Sequence, residues 1–226
     1  MQESGCLAEA SSTLLHSYGE ETVDQAVALV QAYLRVNGYF TVSEYPVILP
    51  AESGGYRAAT DLDILALRFP GAGPMNPREE PPASGARSIE PDAALGIRAD
   101  RPDMIIGEVK EGRAELNGAA TDPAVLREVL TRFGCCPPEA ADEAVQQLRR
   151  RGRAALPDGH EVRLVAFGAT LDRQHGGHYF RVSLGHIVQF LENYVERYWE
   201  SLRVGESKDP AFGFLILMAK AKRGAQ

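Results

Sequence analysis

Cysteine is scarce in this 226-residue chain, with only Cys6, Cys135 and Cys136 present. Two of the three are adjacent and none has CxxC spacing, which excludes a disulfide framework and leaves a reduced, cytoplasmic protein as the simplest expectation. Long apolar runs are also missing. The longest, FGFLILMA near the C-terminus, is far short of the ~20 residues that span a bilayer, so no membrane partner is expected. MQESGCLAEA at the N-terminus has neither a basic n-region nor an apolar h-region, so no secretion or lipoprotein signal is read there. Positive charge is in deficit as well: 24 Lys and Arg face 31 Asp and Glu, for a net charge of −7. That argues against a protein that coats nucleic acid by bulk charge. It leaves room for an enzyme that gathers carboxylates around a metal and keeps a local basic patch for phosphates.

The 44% apolar content suffices for a sizeable core, and the length suits a single domain over residues 1–226. No internal repeat is present. TVDQAVALVQAYLRVNG reads as a helix: Thr22 and Gln25 form a capping box, Val23, Ala26, Val27, Val30 and Leu34 form a stripe, and Gly38 stops it. YFTVSEYPVIL follows as a strand that Pro46 assigns to an edge or a bulge. TDLDILALR is a second strand and MIIGEVK a third. Between them, residues 69–102 are rich in Pro, Gly and Ala and read as an exposed excursion. DPAVLREVLTRFG and PPEAADEAVQQLRRRG are helices, the latter with prolines in its first turn. HEVRLVAFGAT is a further strand, and HYFRVSL its short hairpin partner across a turn at Gly176 and Gly177. Residues 183–223 hold C-terminal helices. One carries Ile187, Leu191, Tyr194, Tyr198 and Leu202 on a single face; the other starts at Asp209 and Pro210, with FLILM equally readable as a buried strand. The order indicates an α/β (α+β) domain with a central mixed sheet flanked by helices and a core over about residues 20–170.

Side chains alternate across a strand. Met104, Ile106, Glu108 and Lys110 therefore share a face, as do Asp61, Asp63, Leu65 and Leu67. Each face is apolar along most of its length and charged at one end. If the two strands pair antiparallel, Asp63 meets Glu108 and Lys110. Two carboxylates about 4 Å apart repel by roughly 4 kcal/mol at an effective dielectric near 20, and Lys110 is outnumbered by Asp61, Asp63, Glu108 and Glu111. A hard divalent cation, Mg²⁺ or Mn²⁺, relieves the surplus, held by Asp63, Glu108 and the backbone carbonyl of Val109. Lys110 would then hold or help deprotonate the attacking water and stabilise transition-state charge.

DLDILAL followed by IIGEVK resembles the PD-(D/E)XK nuclease superfamily, and is similar to small uncharacterised and Holliday-junction-resolvase-like members. The likeness covers about residues 22–110, and more loosely extends to about 170. It implies a restriction-endonuclease-like core, metal-dependent phosphodiester hydrolysis in DNA, and Asp63, Glu108 and Lys110 as the catalytic aspartate, glutamate and lysine. The chain departs from the pattern in having Leu62 rather than proline before Asp63, in the long excursion, and in lacking an inward glutamate on the first helix, where only Asp24 or Glu21 offers a substitute. The literal Pro102–Asp103 is set aside because Asp103 has the opposite parity to Glu108. Pro91–Asp92 is a weaker second candidate for the same role.

Other features compete. The plain alternative for the trio is a solvated strand end with a cross-strand salt bridge, and a further one is a nuclease-like scaffold without turnover. Arg149, Arg150, Arg151 and Arg153 form the densest basic cluster; with Gln146 they are candidates for contacts to nucleic-acid phosphates, against a helix C-terminus that simply favours cations. Gln147 is a lesser candidate of the same kind. Residues 123–168 also read as a winged helix with LPDG as the wing tip, which would make a DNA-binding regulator. Cys135 and Cys136 are reactive thiols or, more simply, buried ones. His175 and His178 are metal ligands or a hairpin turn. The Tyr194, Tyr198 and Trp199 stripe is core or an oligomer face, leaving a homodimer open.

Overall fold

The computed structural model describes residues 24–73, 91–98, 100–172 and 177–224. Helix α1 (Gln25–Val36) starts at Asp24, whose Oδ1 accepts from the amides of Ala26 (2.8 Å) and Val27 (3.1 Å). The N-cap is therefore Asp24 and not the expected Thr22, which lies outside the described residues together with Val23 and Glu21. Aspartate in this position satisfies the first free amides of the helix by itself. The helix ends at Asn37, and Gly38 follows with φ +87°, a backbone that suits glycine.

Three strands then form an antiparallel meander: β1 (Phe40–Pro50), β2 (Tyr56–Arg68) and β3 (Asp103–Arg113). Helices α2 (Pro123–Arg132) and α3 (Pro138–Arg151) lead through the short β4 (Arg153–Ala155) into β5 (Glu161–Thr170), which lies parallel to β3. The sheet order is β1-β2-β3-β5-β4, with β6 (Phe180–Ser183) also against β5. Edge placement of β1, with a register shift at Val47/Ile48 beside Pro46, agrees with what proline imposes. The chain ends in α4 (Leu184–Arg197), α5 (Trp199–Leu202) and α6 (Pro210–Gly224). FLILM is thus helical, and the amide of Phe212 donates to Asp209 Oδ1 (2.9 Å), which caps α6 as its sequence suggested.

The mixed sheet has a core on each face. Under α1, α4 and α6 lie Val30, Tyr33, Ile64, Ile105, Phe167, Ile187, Leu191 and Phe212; under α2 and α3 lie Leu62, Leu65, Ile106, Leu126, Val129, Leu148 and Leu164. Each such side chain contributes roughly 1.5–3 kcal/mol by leaving water. Covering both faces explains why β3 and β5 are buried along most of their length. Among the described residues no helix is long and apolar enough to cross a membrane.

Several expectations need correction. β6 pairs with β5 in parallel, Val165 opposite Phe180 and Gly168 opposite Ser183, so it is no hairpin partner. A tight turn joins only antiparallel neighbours; the parallel β6 buries Val182 and delivers Ser183 as the N-cap of α4. The long helix beginning near Leu184 breaks at Tyr198, which separates α4 from α5. The excursion is not exposed throughout. Its described return, Pro91–Arg98, packs on the core: Leu95 is buried, Asp92 Oδ2 accepts from Tyr33 Oη (2.8 Å) and lies 2.6 Å from His186 Nε2, and the Asp92 amide donates to Asn37 Oδ1 (2.8 Å). Asp92 is accordingly a structural anchor. Residues 74–90, at the centre of the excursion, lie outside the described residues.

Candidate active site

The pairing of β2 with β3 is antiparallel, with Ile64 opposite Gly107 and Leu65 opposite Ile106. One step further along the same register sets Asp63 opposite Glu108. The ladder does not continue as backbone pairs at this point. Instead the Val109 amide donates to Asp63 Oδ2 (2.7 Å), so the aspartate side chain substitutes for a strand carbonyl. Asp63 is thereby fixed against the residue that separates Glu108 from Lys110.

Glu108, a carboxylate at the middle of β3, is only 1% exposed. Its Oε1 accepts from Lys110 Nζ and from Asn117 Nδ2 (2.8 Å). Its Oε2 is buried with no hydrogen-bond partner. Asn117 is itself locked, because its Oδ1 accepts from the Ala120 amide (2.6 Å) in the turn before α2. Burial pushes the Glu108 carboxyl above its ordinary range, and the neighbouring Asp63 adds to this against the pull of Lys110 and Asn117. Asp63 is also raised, chiefly by burial, with the charges of Asp24 and Asp61 adding; the Val109 amide and Lys110 act the other way. For Lys110 partial burial works against the charge, but the bond and charge of Glu108 outweigh it, so the ammonium is held above its usual value.

The alternation of β2 is interrupted here, contrary to the expected shared face of Asp61, Asp63, Leu65 and Leu67. Leu62 and Leu65 both enter the core under α2 and α3, while Ile64 enters the one under α1. Opposite, Glu44 of β1 is the sole non-glycine among the described residues with positive φ, at +50°. The strand pair is irregular at Glu44 and Asp63, and the irregularity frees Asp63 to turn toward β3.

Two further acids crowd the site. Glu44 is raised by partial burial and then by Asp63, Asp24, Asp61 and Glu108. Asp24 contributes charge, but its Oδ1 is committed to capping α1. Sequence reasoning missed Glu44 and Asn117. The one available signal for Glu44 was its place opposite Asp63, and Asn117 sits nine residues past Glu108 with no motif to mark it.

Hard oxygen donors, two carboxylates raised by their surroundings and the unpartnered Glu108 Oε2 suit a divalent cation of the Mg²⁺ type, which keeps waters and takes one or two protein carboxylates. Asp63 and Glu108 would hold it. Among the described residues no three His, Cys, Asp or Glu side chains lie close enough together to hold a metal ion directly, so further ligands would be water or the Val109 carbonyl.

The other candidates fall elsewhere. Arg153 pairs with Arg163, three residues along β5 from Ala166, the partner of Glu108. That sets the basic cluster about 10 Å along the strand from the carboxylates. Arg153 contacts Glu161 (3.4 Å) and covers the Phe180 ring, Arg150 bonds Gln146, Gln147 bonds Glu143, and Arg149 and Arg151 are exposed. The β4–β5 hairpin at LPDG does form, but β5 is an interior strand bonded to β3, β4 and β6. Asp103 is buried far from the site and bonds Arg163 (2.7 Å) and Tyr39. Cys135 and Cys136 are buried; burial pushes the Cys135 thiol up to about 11, which disfavours the reactive thiolate. His175 lies outside the described residues, so the His175–His178 pair has no structural description.

Comparison with known protein families, with curated proteins and with solved structures gave no match to this chain. The class stands on the fold alone: α+β, a six-stranded mixed sheet flanked by helices.

Proposed function

We propose that the protein is a metal-dependent nuclease of the PD-(D/E)XK type, hydrolysing phosphodiester bonds in DNA. The observation that carries this reading is the docking of Asp63 on the Val109 amide, beside Glu108, whose buried Oε2 has no partner. Structural ion pairs rarely leave a buried carboxylate oxygen unsatisfied, because the cost is about 1–3 kcal/mol or more. A bound Mg²⁺ or Mn²⁺ would supply Lewis-acid stabilisation of the phosphate charge. Asp63 and Glu108 bind it, Asn117 fixes the rotamer of Glu108, and Lys110 faces the outside of the site with its side chain 40% exposed. Because Lys110 is held in its charged form, its role is to orient water and stabilise charge on the phosphate oxygens rather than to remove a proton. Water attacks phosphorus and gives up one proton to solvent, the bond to the departing sugar oxygen breaks, and that oxygen takes a proton from solvent.

Arg149 and Arg151, exposed in the last turn of α3, would touch phosphates of a substrate long enough to reach them from the carboxylates. The second reading, a nuclease-like scaffold without turnover, is favoured by the Glu108–Lys110 ion pair, which neutralises the doublet by itself. Metal-dependent cleavage of DNA that is abolished in a folded Lys110→Ala variant separates the two. A scaffold would cleave nothing in either form.

A further inference from the structure

Three adjacent strands carry one carboxylate each at the same level of the sheet. Ser43 lies opposite Ile64 and Tyr45 opposite Leu62, so Glu44 falls opposite Asp63. Ile64 lies opposite Gly107, so Asp63 falls opposite Glu108. Neighbouring Cα atoms in such a row are roughly 5 Å apart, and like charges directly opposite each other destabilise a sheet. Glu44 also holds a left-handed backbone that a glycine would adopt without strain. A chain under selection for stability alone has two reasons to place another residue there. At the far end of the row the Glu108 Oε2 atom is buried and unpartnered, an independent observation that suits a cation ligand.

We infer that Glu44 is a third carboxylate of the cation site, acting through a metal-bound water and so setting how tightly the cation is held. This rests on the metal-binding reading above and deepens it. Contact through water accounts for the lack of three directly converging donors among the described residues, and it suits a cation that sheds its waters reluctantly. Glu44 is exposed and on an edge strand, where its side chain can reach a hydrated ion. Asp24 is less suited, since one of its oxygens already caps α1.

The test is Mn²⁺ binding by titration calorimetry on the full chain, comparing wild type, Glu44→Gln, Glu44→Gly, Asp63→Asn/Glu108→Gln and the control Glu52→Gln. Glu52 carries the same charge eight positions away, in the loop after β1. The expected result is one Mn²⁺ on the wild type, about ten- to a hundredfold weaker binding in both Glu44 variants, no binding in the double variant and no change in the control. Glu44→Gly discriminates further: it relieves the backbone, so its melting temperature should rise while its Mn²⁺ affinity falls. Wild-type affinity in both Glu44 variants overturns the role of Glu44 and leaves the Asp63–Glu108 site standing. A wild type that binds no Mn²⁺ overturns both, and equal weakening in Glu52→Gln reduces Glu44 to bulk charge.

Discussion

Asp63 serves two ends, accepting the Val109 amide and presenting charge beside Glu108, and substitution separates them. Asp63→Asn keeps an acceptor for the amide while removing a charge from a carboxylate-rich surface. Asp63→Ala leaves the amide without its acceptor, which costs about 1–3 kcal/mol. Urea unfolding should therefore rank Asp63→Asn at or above wild type and Asp63→Ala below it; the reverse order would mean that the hydrogen bond does not form. The pH dependence has a definite sign. Glu44, Asp63 and Glu108 all have folded-state values above the ordinary carboxylate range. Over the interval between ordinary and raised values the native state binds more protons than the unfolded one, so these groups make the fold more stable as pH falls through it. Thermal melts taken from neutral pH down to the ordinary carboxylate range at about pH 4 should show this contribution, and Glu108→Gln should flatten it. Lys110 follows the same sign in a more alkaline window: its stabilisation is present below its ordinary value and is lost as pH climbs through the raised one.

Strand β3 holds its position between β2 and β5 by very close packing where the site lies. Lys110 pairs with Gly168, and a Cβ at Gly168 would come within 2.6 Å of the Ala114 Cα, a backbone atom that cannot yield cheaply. Gly168→Ala should destabilise the fold by about 1–3 kcal/mol and, by pushing the end of β3 aside, reduce Mn²⁺ affinity as well. Unfolding and calorimetry on one preparation check both effects. Much at this scale was legible in the chain. The apolar runs of β2 and β3 ending in charge put Asp63 beside Glu108 on the condition that the strands pair antiparallel, as they do, and the Asp-Pro pairs marked where α2 and α6 begin. What was not legible depends on contacts distant in sequence. Strict alternation placed Asp61 and Asp63 with Leu65, whereas the left-handed turn at Glu44 breaks that period, and no local pattern in SEY announces it. The parallel pairing of β6 was hidden for a similar reason, since a four-residue strand carries no sign of its partner's direction.

At the scale of the molecule, the carboxylate end of the sheet is balanced by a buried polar network at the other. Arg163 donates to Asp103 and to Tyr39 Oη (3.1 Å), and to the carbonyl of Leu95 in the returning excursion, so one guanidinium ties β5, β3, the start of β1 and the excursion together. Removing one partner strands a buried charge, at about 3–5 kcal/mol. Arg163→Met should therefore be among the most destabilising single changes in the chain, as read by denaturant midpoint, and a loss under about 1 kcal/mol, the range of an exposed pair, would show the network to be solvated. Net charge bears on function at this scale too. With a charge of −7 and an acidic site, the protein draws a polyanion to its carboxylates only when cations mediate. If Asp63 and Glu108 hold a cation beside Lys110, cleavage of supercoiled and branched DNA must depend on Mg²⁺ or Mn²⁺. Strand breaks that require the metal and vanish in a Lys110→Ala protein of unchanged melting temperature are the predicted result. Breaks of equal yield in Lys110→Ala, or none from a wild type shown to bind Mn²⁺, would contradict it.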